Sequence, residues 1–281
     1  MDELGGARKY ISLATIYGFA ALLLAICGFP LLWMVMTTLK PDSEIITAEP
    51  TLWTSAPHLE HYVRLFEQTN FLTYFKNSVL VAGSATLLSI FVATLAGYGI
   101  TRFRFRGREN IAGMMLFTYM FAPIMIIVPF FILMRGYGLV NNHFGLVLAY
   151  TTFSLPFCMW LLRSFFQSIP LELEEAAMTD GASRLQAVVY VIVPLALPGV
   201  IAVSIFSFIV AWNDYIFTRT LINSDELKTL PVGVNDLVNA TVIDWGMILA
   251  GGVVITIPAL IFFIAVQRYL IAGWGAGAVK G

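Results

Sequence analysis

Charged residues are scarce in this chain. Of its 281 residues, 12% are Asp, Glu, Lys or Arg, whereas an average soluble domain has roughly 25%. Hydrophobic residues make up 59% and the mean hydropathy is +0.83, so the polar shell that a soluble core of this size needs is missing. This excludes an ordinary water-soluble domain. The net charge of −1 offers no bulk attraction to nucleic acid, which we do not expect as a partner.

Cysteine and clustered metal ligands are also scarce. The two cysteines, Cys27 and Cys158, lie inside apolar runs, where thiols more often pack as small hydrophobic groups than form disulfides or bind metal. The three histidines do not cluster with cysteines or carboxylates at ligand spacing, and we interpret His58 and His61 as a solvated pair in a loop. No disulfide framework and no metal site are predicted.

Signatures of nucleotide binding and of catalysis are absent from the sequence as well. The chain has no Gly-x-x-x-x-Gly-Lys-Ser/Thr phosphate loop, so we expect no ATP site of the usual kind. Nor do the apolar segments contain the paired nucleophile and base, or the metal ligands, that an intramembrane enzyme needs. We therefore expect no catalytic residue and no cofactor bound by this chain.

What the chain has instead is long apolar runs. A helix crosses the hydrocarbon layer in about 20 apolar residues, and six segments meet that test. The first is too long for a signal peptide and lacks a small-residue cleavage site. We predict an all-α membrane protein, a single domain over residues 1–281, with six transmembrane helices. They are placed at Ala14–Thr38, Asn77–Ile100, Ile111–Met134, Phe144–Phe166, Pro198–Thr218 and Met247–Val266.

Positive charge in short connections predicts the orientation of these helices. Four arginines lie between the second and third spans, where we expect them to rest on anionic lipid headgroups. The 40–76 connection is acidic instead. Both termini and the arginine-rich segment are therefore predicted to be cytoplasmic, with 40–76, 135–143 and 219–245 outside and 167–197 inside. The basic residues used are Arg8, Lys9, Arg102, Arg104, Arg106, Arg108, Arg268 and Lys280.

The 167–197 connection predicts two short helices. Pro170 suits a first helical position, Glu172 and Glu174 lie near the positive end of the helix dipole, and Gly181 suits a left-handed end. We expect the second helix to run from Ala182 to Val193 and to stop at Pro194.

The first of these short helices has a small apolar face, formed by Leu173, Ala176 and Ala177, and an acidic opposite side. A helix lying on the membrane usually carries Lys or Arg on its polar face. Glutamates there would be repelled by anionic lipid, so docking to another protein is favoured over membrane anchoring.

This connection also carries a recognisable motif. Glu175-Ala176-Ala177, then Asp180-Gly181-Ala182, then Val191-Ile192-Val193-Pro194 resemble the EAA motif of permease subunits of ATP-binding-cassette (ABC) importers, with valines at 191 and 193 replacing Ile and Leu. Other stretches resemble the carbohydrate-uptake, MalG-like branch of that family. These are Asn77-Ser78, Ala211-Trp212-Asn213-Asp214-Tyr215, Leu230-Pro231-Val232-Gly233 and Gly277-Ala278-Val279-Lys280-Gly281.

The resemblance implies a role for the connection. In that family the EAA loop forms a cytoplasmic coupling helix that sits in a cleft of an ATPase subunit. Two permeases and an ATPase dimer make the core, a soluble binding protein delivers substrate from outside, and ATP and Mg are used by the ATPase. The coupling residues implied here are Glu174, Glu175, Ala176, Ala177, Met178, Asp180, Gly181 and Pro194.

Candidate substrate contacts are polar and aromatic groups at membrane depth, which are costly unless used. Asn213 and Asp214 could equally stabilise helix contacts or an interfacial turn. Leu230, Pro231, Val232 and Gly233 are predicted to reach the binding protein, the alternative being packing against the partner permease. The substrate-pathway candidates are Trp212, Asn213, Asp214, Tyr215, Tyr119 and Tyr150.

The expected function is that of a permease subunit. It would form half of the pathway for a sugar or sugar derivative in the plasma membrane of a bacterium or archaeon. The alternative is a secondary active transporter. That class usually shows more spans, an internal inverted repeat and buried carboxylates. Here no repeat is evident, and Asp214 is the one acidic candidate within a span.

Overall fold

The computed structural model describes the backbone of residues 3–54, 56–240 and 242–277, and the side chains of 13–54, 56–240 and 242–267. These residues form helices and connections and no strand, which confirms the predicted all-α class. In chain order the helices are α1 (Glu3–Thr37), α2 (Asp42–Ile45), α3 (Glu60–Gln68), α4 (Phe71–Arg102), α5 (Arg108–Tyr119), α6 (Pro123–Gly136), α7 (His143–Ser168), α8 (Leu171–Thr179), α9 (Arg184–Ala187), α10 (Val193–Leu195), α11 (Leu197–Trp212), α12 (Ile216–Leu221), α13 (Leu230–Val238) and α14 (Trp245–Gly277).

Four stretches of helix are long and apolar enough to cross a membrane within the described part of the chain. They are Leu13–Thr37 of α1, all of α4, all of α7, and Trp245–Gln267 of α14. Two bent pairs pass the same test together, α5 with α6 and Arg184–Leu195 with α11. The number of spans is thus four, or up to six if each bent pair is one span.

The third predicted span is not continuous. Instead of one helix over Ile111–Met134, α5 and α6 meet at an angle of 102°. Pro123 is the first residue of α6, and Ala122 before it is extended, with φ −62° and ψ 130°. The steric clash of a proline ring disfavours helical backbone at the preceding residue, so the helix breaks here.

The second short helix of the 167–197 connection also differs from its prediction. The short helix expected over Ala182–Val193 starts at Arg184 and does not stop at Pro194. It passes through a π-helical turn, Val188–Ile192, and ends at Leu195. A proline ring clashes with the carbonyl four residues earlier in a regular α-helix, and the wider turn before Pro194 accommodates it.

The next helix, α11, follows this segment at an angle of 80°. It ends at Trp212, six residues before the predicted Thr218. Asn213, Asp214 and Tyr215 therefore lie in the connection between α11 and α12 and not within the helix.

The chain divides into two compact units. Unit 1 comprises Met1–Thr69 and Asp236–Ile255, and unit 2 comprises Asn70–Asn235 and Thr256–Gly281. In unit 1, His61 belongs to α3 and is fully buried, with Nε2 2.8 Å from the Lys40 carbonyl oxygen. The prediction of a solvated His58–His61 pair in a loop is therefore wrong for His61.

Unit 2 is built on α4, α7 and α11. Gly97 of α4 lies where α7 packs closely, since a Cβ there would be 3.4 Å from the backbone of Met159 and Arg163, in van der Waals contact. Three buried serines, one from each helix, lie in a row, with Ser89 Oγ 2.9 Å from Ser154 Oγ and Ser154 Oγ 3.4 Å from Ser207 Oγ. Small side chains and interhelical hydrogen bonds of this kind are how helices associate in a membrane. Cys158 is buried in this core.

In contrast to the buried core of unit 2, the described side chains of α1 are largely exposed. Cys27 lies on its exposed surface, and the window that marks Leu13–Thr37 as a span contains no buried residue. Apolar surface of this extent is stable only against lipid or another protein. The residues after Gly277, including Ala278, Val279 and Lys280, and the side chains of Arg8, Lys9 and Arg268, lie outside the described parts. The predicted orientation stays a prediction.

Candidate functional site

The first short helix predicted in the 167–197 connection, which carries the EAA motif, is present as α8. Pro170 precedes the helix, one position earlier than predicted, because its φ of −56° and ψ of 138° are extended. Gly181 adopts the predicted left-handed conformation, with φ +92°, which glycine reaches at no steric cost.

Two backbone hydrogen bonds close the end of α8. The N–H of Ala182 donates to the Ala177 carbonyl at 3.0 Å, and that of Gly181 donates to the Met178 carbonyl at 3.1 Å. This pair is the Schellman arrangement, in which otherwise unpaired carbonyls at a helix end are satisfied. The sharp turn out of α8 is therefore built by Gly181.

The two sides of α8 differ in burial. Glu174, Ala177 and Met178 are spaced three and four residues apart and are buried or half-buried. We call these three the inner face. The residues Glu172, Glu175, Ala176 and Thr179 share the opposite side and are exposed, and we call these four the outer face. The predicted small face is thereby divided, since Ala176 is exposed whereas Ala177 is half-buried.

Glu174, one of the coupling residues that the resemblance implies, is 1% exposed, and its side chain is paired within the chain. The Tyr98 hydroxyl donates to its Oε1, and Oε2 lies 3.0 Å from Arg102 Nε. Both partners come from the last turns of α4, four residues apart and therefore on one helix face. Its sequence neighbour Glu175 is exposed.

Arg102 also fixes the entrance to α8. Its second guanidinium nitrogen donates to the Ile169 carbonyl at 3.0 Å. The next residue, Phe103, carries the Arg184 guanidinium over its ring at 5.2 Å. Sequence reasoning assigned Arg102 to a lipid-facing basic segment and missed this role. The arginine is one of four in seven positions, and nothing in the pattern distinguishes it.

The remaining predicted coupling residues are exposed. Asp180 follows α8 directly, and Pro194 lies in α10, on the far side of the π turn. The assignment of these residues to coupling stays a prediction.

The predicted substrate contacts divide by exposure. Trp212 is 1% exposed and stacks on Phe208, with ring centroids 5.3 Å apart and planes 17° apart. Tyr215 is half-buried, with its hydroxyl 3.1 Å from Asn235 Oδ1. Asn213 is exposed and donates back to the Ile209 carbonyl.

Tyr150 and Asp214 are brought together. The buried Tyr150 hydroxyl donates to Asp214 Oδ2 at 2.9 Å. The same oxygen accepts from the backbone N–H groups of Phe217 and Thr218 at 2.9 and 3.2 Å. Asp214 therefore caps the start of α12, as a short acidic side chain does at a helix N-terminus. This is the alternative given for Asp214 from the sequence, a stabilised turn.

Tyr119 lies at a cavity. At the break between α5 and α6, those helices with α7 and α11 enclose about 340 Å³ of mostly apolar space. The Tyr119 side chain is 44% exposed, and its ring centroid lies 5.7 Å from that of Phe157 and 6.2 Å from that of Phe206. Among the predicted substrate-pathway aromatics, Tyr119 is the one with an exposed ring at a cavity.

The segment predicted to reach a binding protein is mostly buried. Leu230 and Val232 are at most 1% exposed, and Pro231 is half-buried. A Cβ on Gly233 would lie 2.2 Å from the Tyr74 ring. The Leu230 N–H donates to Ser78 Oγ at 2.8 Å, so two stretches that carry the family resemblance meet. The predicted contact with a binding protein stays a prediction.

One group of potential metal ligands lies in unit 1. Ligand atoms of Asp42, His61 and Asp244 lie within 4.8 Å of one another. Arg64 binds Asp42 at 3.1 Å and Asp244 at 2.7 Å, and donates to His61 Nδ1 at 2.6 Å. Its guanidinium supplies the positive charge that a cation would supply, so the group is an ion-pair cluster. Sequence spacing did not predict it, because Asp244 is distant along the chain.

Comparison with known proteins identifies a family and similar transport proteins. Residues 85–274 match the family described as binding-protein-dependent transport system inner membrane component. The inner membrane ABC transporter permease protein YcjP of Escherichia coli (strain K12) is 37% identical over 98% of this chain and 99% of its own length. The trehalose/maltose transport system permease protein MalG of Thermococcus litoralis is 33% identical over 93% and 95%.

Among solved structures, a bacterial ABC transporter involved in the import of the acidic polysaccharide alginate has the same fold. The TM-score is 0.80 at 24% identity, covering 94% of this chain and 97% of the other. The family match covers more than half of this chain, and the YcjP identity extends over nearly all of it. The chain therefore belongs to the family of binding-protein-dependent transport system inner membrane components.

Proposed function

We propose that this chain is a permease subunit that forms half of the translocation pathway for a sugar or sugar derivative. It is driven by ATP hydrolysis in a partner ATPase dimer, which binds the outer face of α8. A second homologous permease completes the pathway, and a binding protein delivers the sugar from outside. ATP and Mg are bound by the ATPase and not by this chain.

The observation that carries this proposal is the exposed outer face of α8. The EAA motif there presents Glu175 and Ala176 outward, while Glu174 holds the helix from the inside. A small side chain such as Ala176 lets a partner approach the backbone closely, and Glu172 and Glu175 offer charges for basic side chains. Such an acidic surface favours a protein over anionic lipid.

A sugar as cargo is supported by the relatives. MalG of T. litoralis is named for trehalose and maltose transport. In this chain, the exposed ring of Tyr119 at the 340 Å³ cavity offers a face for the C–H groups of a sugar. Trp212, Tyr150 and Asp214 already have partners within the chain. We therefore rank Tyr119 first among the candidate contacts.

Family membership also favours the ATP-driven importer over the secondary active transporter. Members of this family are described as binding-protein-dependent, whereas a secondary active transporter draws on an ion gradient and needs no ATPase. Uptake that persists without ATP hydrolysis would support the secondary transporter and contradict the proposal.

Affinity purification of the tagged chain from mild detergent tests the proposal. A second permease and an ATPase should co-purify, and proteoliposomes containing the complex and its binding protein should accumulate sugar only with internal ATP and Mg. Ala176→Trp should abolish recovery of the ATPase and leave the second permease bound, because a large ring blocks close approach to α8.

The matched control is Ala240→Trp. It places the same side chain at an exposed alanine in the predicted outward connection, and it should leave ATPase recovery unchanged. Recovery of the chain alone, or with unrelated proteins, would contradict the proposal. So would equal loss of the ATPase in both variants.

A further inference from the structure

A buried cluster lies beneath the coupling helix and joins it to α4. It consists of Tyr98, Arg102 and Glu174, and the side chains of Arg102 and Glu174 are 9% and 2% exposed. We propose that this cluster is the mechanical link through which α8 displaces α4 during transport, so that Glu174 is a positioning residue and not an ATPase contact. The inference rests on the proposed function, since it assumes that a partner ATPase moves α8.

The geometry of the cluster suits transmission of a displacement. Glu174 is held at both carboxylate oxygens, by the Tyr98 hydroxyl on one side and by Arg102 Nε at 3.0 Å on the other. One hydrogen bond and one ion pair from the same face of α4 thus hold the carboxylate at two points. Water, which would screen and loosen the pair, has little access, so the interaction stays strong.

Arg102 holds α8 at a second point. It donates to the Ile169 carbonyl at 3.0 Å, two residues before α8 begins. One guanidinium therefore binds both the entrance and the body of the helix. A displacement of α8 relative to α4 would have to break both contacts, so the two helices are expected to move together.

The exit from α8 is more exposed than its entrance. Gly181 and Ser183 in the turn to α9 are exposed, and a Cβ at Gly181 would touch nothing within 4 Å. The start of α9 lies beside the end of α4, where the Arg184 guanidinium is 5.2 Å from the centroid of the Phe103 ring. Both short helices thus converge on the end of α4.

Helix α4 extends from this cluster to the predicted outward side. It is 32 residues long and packs against α7 and α11 through small residues such as Ser89 and Gly97. At its other end Asn77 donates to the Glu226 and Lys228 carbonyls at 2.8 and 2.9 Å. A rigid α4 would therefore carry movement of α8 to the 226–230 segment.

Charge exchange in the reconstituted full complex tests the link. Glu174→Arg or Arg102→Glu alone places two like charges together, and the sugar transported per ATP hydrolysed should fall at least about fivefold, the lower end of typical coupling effects. The double variant restores an ion pair in reversed sense and should recover most of the loss. The ATPase should co-purify in all three, because the outer face of α8 is unchanged.

Two further variants keep the test decisive if a single charge change prevents folding. Tyr98→Phe preserves the ion pair and should lower transport per ATP by a smaller factor. Glu109→Gln breaks an ion pair away from α8, between Glu109 of α5 and Arg163 of α7 at 2.5 Å, and should leave the ratio unchanged.

The outcomes separate the link from the proposed function. Suppose that the wild-type complex couples sugar uptake to ATP hydrolysis. Normal transport per ATP in the single-charge variants and in Tyr98→Phe would then overturn the link alone. Loss of the ATPase that the double variant does not restore would also overturn it, because Glu174 would then be an ATPase contact. A wild-type complex without ATP-driven uptake would instead refute the proposed function.

Discussion

Two tyrosine–carboxylate pairs in unit 2 look alike and are held in different ways. Near one end of α7, the Tyr98 hydroxyl donates to Glu174, and the Tyr98 ring lies 6.5 Å from that of Phe166. Near the other end, the Tyr150 hydroxyl donates to Asp214 at 2.9 Å. In the first pair the carboxylate faces a guanidinium, whereas in the second it faces backbone N–H groups.

The difference shows what each carboxylate does. Glu174 pairs with residues more than 70 positions away and joins separate elements. The N–H groups that Asp214 caps follow within four residues, so much of its stabilising effect is local. A buried charge with a charged partner is strongly destabilised when that partner is removed, while a helix cap is worth less. Mutations at the two pairs should therefore differ in size.

The largest effect is expected from Arg102→Ala. Removing the guanidinium leaves the Glu174 carboxylate buried without a cation, which costs about 3–5 kcal/mol. The free energy of unfolding of the purified chain in detergent, from denaturant titration, measures this. Arg104→Ala, at an exposed arginine two residues on, is the control and should change it by less than about 0.5 kcal/mol. Equal effects would show that Glu174 does not depend on Arg102.

Phenylalanine substitutions sharpen the comparison at the hydroxyl groups. Tyr98→Phe removes a hydrogen bond to a carboxylate that is already paired with arginine, and should cost about 1.5–3 kcal/mol, as bonds to charged groups do. Tyr150→Phe should lie at the lower end of that range, about 1.5 kcal/mol, since Asp214 keeps its two backbone donors. The same titration compares them directly. A larger loss for Tyr150→Phe would reverse the ranking.

Removal of the Asp214 carboxylate should lower the free energy of unfolding by less than Arg102→Ala does. Asp214→Ala deletes the cap of α12 and should cost about 1–2 kcal/mol. Hydrogen exchange at Phe217 and Thr218 should increase, because their N–H groups lose the acceptor. The neighbouring Asn213→Ala is the control, since that side chain is exposed and donates back to the Ile209 carbonyl of α11. A cost matching that of Arg102→Ala would contradict a local capping role.

A third pair, Tyr74 with Asp225, extends the comparison to an exposed carboxylate outside the spans. The hydrogen bond from Lys228, 2.8 Å away, is the main cause that lowers the pKa of Asp225 to about 2 from 3.8, with further donors in Asn70 and Tyr74. A carboxyl group with a lowered folded-state pKa stabilises the fold fully above its ordinary pKa. That contribution is lost as the pH falls from about 4 toward 2.

The corresponding measurement is the gap in unfolding temperature between wild type and Asp225→Asn. The gap should be small, since an exposed ion pair is worth about 0–1 kcal/mol. It should be constant from pH 7 to about 5. Below pH 4 it should close, because protonation makes the wild-type Asp225 side chain neutral, as the asparagine of the variant already is. A gap that widened on acidification would show that the pKa is raised and not lowered. Lys228→Met should shift the closing of the gap to higher pH.

Much of α8 was predictable because its signals are local. Gly181 marks a left-handed end at its own position, and the spacing from Glu175 to Pro194 matches a motif along the chain. The burial of Glu174 was not predictable, for a related reason. It stands beside Glu175 with the same chemistry, and the sequence does not say which of two adjacent glutamates faces inward when a helix docks.

The breaks in the spans were only partly predictable. Pro123 disfavours helical backbone at Ala122, so an interruption near it could be expected from local sterics. The 102° bend is not a property of the proline. It depends on how α5 and α6 pack against α7 and α11. The outcome at Pro194 is likewise not set by the proline alone, because the π turn before it lets the helix extend to Leu195.

By itself, the sequence determined that this chain is helical and apolar, where its apolar segments lie, and to which family it belongs. Those properties follow from hydropathy, backbone sterics and motif spacing, which act between near neighbours along the chain. Only the tertiary structure decided that Glu174 meets Arg102, that Asp214 serves as a cap, and that Leu230 lies buried against Ser78. These contacts join residues far apart in sequence, and they depend on which helix faces pack together, which no single segment specifies.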